Sequence, residues 1–89
     1  MTERNINMTD KILEIEKFDK KILGENLSIL RRRSKLSQAD LAWILKSSVR
    51  NIQRIERGEL DLKNSLLIEL LEEYNYKGDI RDLYKKVLV

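Results

Sequence analysis

Between residues 49 and 57 the long polar donors Arg50, Gln53, Arg54 and Arg57 recur at three- and four-residue intervals, the pitch of one helix face. Guanidinium and carboxamide groups form paired hydrogen bonds with planar polar partners, and base edges and phosphates are the partners that suit them best. Little other chemistry is open to the chain. Its 89 residues contain no Cys, His or Pro. Thiolate nucleophiles, imidazole bases, soft-ligand metal sites and disulfide staples are therefore all excluded. Carboxylates remain, but they alternate with Lys and Arg as on solvated helix faces, so no enzyme activity, cofactor or metal is expected.

Charge distribution points the same way. Residues 1–22 carry five basic and five acidic side chains, residues 23–58 eight against three, and residues 59–89 five against seven. The net +3 of the chain thus arises from a central block of +5, the electrostatic footprint of a nucleic-acid-binding element flanked by scaffold. No apolar run approaches the 18 or so residues needed to cross a bilayer, and no signal-like segment follows Met1. A cytoplasmic location is expected.

The elements that must position the arginines are helical throughout, because apolar residues recur at helical and not alternating spacing. A chain this short buries only about 60–65 % of its unfolded surface and supports one core. Thr9 or Asp10 can cap a short N-terminal segment with Ile12, Ile15 and Phe18. A helix over about residues 20–34 follows, with Leu23, Leu27 and Leu30 on one stripe and Arg31, Arg32 and Arg33 in its last turn. Ser37 caps residues 38–45, with Asp40 as a capping-box acid, and Ser48 caps residues 49–57 up to a left-handed stop at Gly58. Residues 65–74 form an apolar helix broken by Gly78, and Asp79 opens a last turn with Ile80, Leu83 and Tyr84. Ala42 is the small residue where the two central helices meet, and Leu41, Leu45, Ile52 and Ile55 lock their angle.

These blocks resemble the Cro/CI-type, or xenobiotic-response-element, helix-turn-helix proteins of phages and bacteria. The matching runs are Leu23-Gly24-Glu25-Asn26-Leu27, Leu36-Ser37-Gln38-Ala39-Asp40-Leu41-Ala42 and Ile52-Gln53-Arg54-Ile55-Glu56-Arg57-Gly58, in register over about residues 22–84. The resemblance implies an all-α, five-helix lambda-repressor-like domain over residues 21–89, with residues 1–20 as an extension bearing an extra helical segment. It implies that Val49, Arg50, Gln53 and Arg54 face DNA bases, and that Gln38, Ser48, Asn51 and Arg57 face the DNA backbone. It also implies a structural salt bridge between Arg31 and Glu56. Double-stranded DNA bound by a homodimer is the expected partner and a repressor the expected role, bacterial or phage-encoded and nucleoid-associated. The alternative is an autoregulating antitoxin that also binds a toxin.

Two departures from the family pattern matter. Lys46 stands in the turn where glycine is usual, so a residue with a Cβ must take a left-handed conformation, and Ser47 replaces an apolar residue. Trp43 and Ile44 fall on an outer face and call for a cover, either the N-terminal segment or a partner protein. At the other end Leu83, Tyr84, Val87, Leu88 and Val89 offer either a dimer surface or a finish to the core.

Overall fold

The computed structural model describes residues 19–88. The expected N-terminal segment with Ile12, Ile15 and Phe18 lies outside the described residues, as does Val89. The described residues form four α-helices and a short 3-10 helix, with no strand among them: α1 (Lys20–Arg33), α2 (Gln38–Ile44), α3 (Val49–Glu56), α4 (Asn64–Glu73) and the 3-10 helix (Ile80–Tyr84). The expected final helix is thus a 3-10 helix of five residues. None of these helices is long and apolar enough to cross a membrane.

Local chemistry sets the starts. Asp19, Ser37, Ser48 and Asp79 each accept a hydrogen bond from a backbone N–H in the first turn of their helix, which satisfies a donor that would otherwise face no partner. At Ser37 the arrangement is reciprocal: its Oγ accepts from Asp40 N at 2.9 Å and its N donates to Asp40 Oδ2 at 3.0 Å. Only α4 begins without a side-chain cap.

The four α-helices all end in the same way. Lys35, Lys46, Gly58 and Asn75 have positive φ, between 52° and 73°. The next residue's N–H then reaches back across the last turn, from Leu36 to Arg31 O, Ser47 to Ala42 O, Glu59 to Arg54 O and Tyr76 to Leu71 O. This is the Schellman closure, and glycine suits its left-handed residue best. Lys46 does take the conformation expected of it, at φ 54°. The end of α4 differs from expectation, since Asn75 closes the helix three residues before Gly78. A short Asx side chain tolerates the left-handed region, so no glycine was required there.

One core joins the elements. Leu23, Leu27 and Leu30 of α1 meet Leu41 and Ala42 of α2, Ile52 and Ile55 of α3, and Leu67, Leu70, Leu71 and Tyr74 of the α4 end. Leu83 is fully buried, and Tyr84 and Leu88 pack against the same cluster. Leu83 therefore completes the core, Tyr84 and Leu88 are half-buried against it, and Val87 is exposed. Their position depends on Asn26, which has no solvent exposure. Its Nδ2 donates to Leu83 O and Lys86 O, both at 2.9 Å, and its Oδ1 accepts from Leu88 N at 2.7 Å. A buried carboxamide is tolerable only when so satisfied.

Candidate nucleic-acid interface

The angle of α3 is fixed by close approach and by a buried ion pair. A Cβ on Gly24 would lie 2.6 Å from the carbonyl oxygens of both Ile55 and Glu56, so α1 and α3 touch backbone to backbone and only glycine fits. Beside that contact Arg31 Nε donates to Glu56 Oε2 at 2.7 Å and Nη2 to Glu56 Oε1 at 3.2 Å, while Nη1 reaches Leu36 O at 2.8 Å. The side chains of the pair are only 10 % and 7 % exposed. The hydrogen bond that Arg31 donates to Glu56 holds its guanidinium more firmly protonated than usual, against a smaller opposing effect of burial. One residue thereby ties α1 to α3 and to the loop that starts α2.

The polar contacts continue outward. Gln38 Nε2 donates to Glu56 Oε1 at 3.0 Å, and Gln53 Nε2 donates to Gln38 Oε1 at 3.3 Å. Gln38 and Gln53, expected to face phosphate and base respectively, are thus in contact with each other across the mouth of the two helices. Ser28, Gln38, Gln53, Glu56 and Arg57 line a polar cleft there.

The remaining site residues lie further round α3. Val49, Arg50, Asn51 and Arg57 are exposed and Arg54 half-buried, while Ile52 and Ile55 point into the core. Ser48 Oγ accepts from Asn51 N at 3.1 Å, and Asn51 Nδ2 donates to Ser47 Oγ at 3.3 Å. Arg50 has no side-chain hydrogen bond or ion pair among the described residues. Arg57 Nε lies 3.2 Å from Glu59 Oε2, and Arg54 Nε lies 4.0 Å from Glu59 Oε1. α3 ends at Glu56, with Arg57 as its cap, one residue earlier than its sequence pattern suggests.

Sequence reasoning overlooked two of these partners. Asn26 interrupts the Leu23, Leu27, Leu30 stripe on its apolar side, and a polar residue in that place is a legible sign of a buried hydrogen-bonding role. Glu59 carries no such sign. It follows the turn at Gly58, whose geometry alone brings it back beside Arg54 and Arg57.

Two short helices in contact through Ala42 and Leu41 against Ile52 and Ile55, the second presenting arginines outward, define a helix-turn-helix module. The helix-turn-helix domain family matches residues 22–83, so the chain belongs to that family, in its Cro-type form. No curated protein and no solved structure matches the chain.

Proposed function

We propose that the protein is a sequence-specific DNA-binding transcriptional regulator, a repressor that binds a two-fold operator as a homodimer with α3 in the major groove. The observation that supports this best is the outward side of α3, where Arg50 is unpartnered while the opposite side of the helix is locked into the core. A guanidinium held on a rigid helix reads guanine O6 and N7 as a bidentate pair, worth about 1–3 kcal/mol against a wrong base. Arg50 and Arg54 take that role, and Val49 reads a thymine methyl. Gln53, through its bond to Gln38, stands at the border between base and backbone. Gln38, Ser48, Asn51 and Arg57 hold the phosphates, with the start of α3 directing N–H groups at one of them.

On this reading the protein is a binding module of the bacterial or phage cytoplasm and not an enzyme. One module covers about half an operator, so two copies would sit one helical turn, about 34 Å, apart. The antitoxin alternative adds a toxin to the same DNA-binding activity and would seat it on the exposed Trp43 face. A neighbouring gene product that co-purifies with the chain is its test.

The decisive experiment compares a duplex from the gene's own upstream region with a scrambled duplex at two salt concentrations, for the wild type and for Arg50→Ala with Arg54→Ala. Tight, salt-sensitive binding that prefers the natural duplex, with the preference lost in the double variant, is expected. Equal binding to both duplexes, or none, overturns the reading.

A further inference from the structure

The hydrogen bonds at the mouth of α2 and α3 form a chain with a direction. Arg31 Nε and Nη2 both donate to the Glu56 carboxylate, at 2.7 and 3.2 Å. A carboxylate paired in this way only accepts hydrogen bonds. The end of the Gln38 amide that meets Glu56 Oε1, at 3.0 Å, is accordingly its nitrogen, and its carbonyl oxygen is turned toward α3. That oxygen is again an acceptor only, so the end of the Gln53 amide that meets it, at 3.3 Å, is also the nitrogen. Two carboxamides, each able in principle to present either end, are thus set in series by one carboxylate whose side chain is only 7 % exposed.

The atom this leaves outward is an acceptor. Gln53 is exposed, and its Oε1 carries no hydrogen bond among the described residues. One N–H of its Nε2 is taken by Gln38 and the other is open. The guanidinium groups of Arg50, Arg54 and Arg57 offer donors alone and suit guanine O6 and N7. In the major groove adenine and cytosine present amino groups, N6 and N4, where guanine and thymine present carbonyl oxygens. An outward Oε1 accepts from the first two bases and is opposed, oxygen to oxygen, by the other two. Adenine suits it best, because adenine N7 also receives the remaining N–H.

A glutamine alone on a helix surface does not discriminate in this way. Its amide turns over in water and offers nitrogen to guanine O6 or thymine O4 as readily as oxygen to an amino group. Turning Gln53 over here would set its oxygen against Gln38 Oε1. Turning both amides over would set Gln38 Oε1 against Glu56 Oε1, and acceptors brought together away from water are costly.

We infer that Glu56, acting through Gln38, holds Gln53 with its carbonyl outward and makes Gln53 the specificity-determining residue for a base that bears an amino group in the major groove, adenine before cytosine. The inference rests on the reading of α3 as the helix that faces DNA. Gln38 is then a positioning residue for base recognition, whatever phosphate contact it also makes.

Duplexes are first selected from a randomised pool with the full-length wild type and with Gln53→Ala. The position whose preference disappears in the variant is the one Gln53 reads, and adenine or cytosine is expected there. At that position the base pair is then exchanged for its keto counterpart, A·T for G·C or C·G for T·A, and Kd is measured for the wild type and for Gln38→Met, which keeps the side-chain length without the amide. The exchange should weaken the wild type about ten-fold and Gln38→Met about two-fold or less, because Gln53 is then able to turn over. A lost phosphate contact of Gln38 weakens both duplexes alike and leaves this ratio untouched. Gln38→Ala, which empties the space that Gln38→Met fills, should give the same ratio. Guanine or thymine at the position, a Gln53→Ala profile equal to that of the wild type, or an exchange penalty undiminished in both Gln38 variants overturns the inference and leaves DNA binding standing. If the wild type enriches no sequence at all, the reading of α3 fails and the inference falls with it.

Discussion

Helix α3 carries charge on two sides and treats it differently on each. On the inner side the Glu56 carboxylate receives Arg31 Nε and Nη2 and Gln38 Nε2, all within 3.2 Å and nearly sealed from solvent. On the outer side Arg50 stands alone, and Arg54 and Arg57 share one half-exposed carboxylate, that of Glu59. A charge taken out of water must be matched by its neighbours, because breaking a buried pair costs several kcal/mol. A charge left in water is under no such demand, and exposed pairs contribute only about 0–1 kcal/mol. The inner set therefore belongs to folding and the outer set is available to a partner.

Removing one member of the inner set is the severest way to break this contrast. Arg31→Ala leaves the Glu56 carboxylate with only the Gln38 amide, and a loss of about 3–5 kcal/mol is expected, read as a large drop in melting temperature. Base preference of the fraction still folded stays as in the wild type. An unchanged melting temperature combined with lost operator binding would place Arg31 in the outer set and dissolve the distinction.

A milder change acts on the outer set alone. Glu59→Gln releases Arg54 and Arg57 and removes a negative charge beside the proposed DNA face. Stability should hardly move, since the pairs are exposed. Affinity for duplex DNA should rise up to about five-fold, the equivalent of about 1 kcal/mol, as measured by titration at low salt. Weaker binding would mean that Glu59 positions the arginines instead of competing for them.

The turn between α2 and α3 touches neither set, so its strain can be relieved without disturbing the contrast. Lys46→Gly removes the left-handed penalty at φ 54°. It should raise stability by up to about 1 kcal/mol, partly offset by the greater freedom of glycine in the unfolded chain. Thermal melting checks the gain, and DNA affinity at low salt is expected to fall slightly, because the substitution also removes one charge of the basic block.

The smallest effect concerns the cap of α2. Hydrogen bonds from the Ser37 backbone N–H and hydroxyl hold the Asp40 carboxyl below the usual carboxylate range. A carboxyl whose folded value is depressed adds stability above its unfolded value, near about 4, and loses that contribution as the pH falls through the folded one. The melting temperature of wild type should thus exceed that of Asp40→Asn at neutral pH, with the difference shrinking in acid. A difference independent of pH would show that the capping box contributes through geometry and not charge.

Much of this was legible from the residues in order. Helix starts depend on the nearest three residues, and Ser37, Ser48 and Asp79 are caps by chemistry alone. The stripes of α1 and α3 follow from periodicity, and the charge block from counting. The resemblance over three blocks in register brought the class of fold with it. Contacts between residues distant in sequence are another matter. The Asn26 clamp on Leu83, Lys86 and Leu88 spans 57 to 62 positions. The Gln38 bridge between Glu56 and Gln53, and the turning of Glu59 onto Arg54 and Arg57, depend on how helices meet. So does the packing of Leu83 and Leu88, apolar residues whose pattern suits a core and a dimer face equally well. Local order in the chain determines what each helix is, since caps and periodicity act over one or two turns. Only tertiary packing decides which polar groups are saturated within the fold and which remain for a partner, because burial and hydrogen-bond reach are properties of the assembled helices.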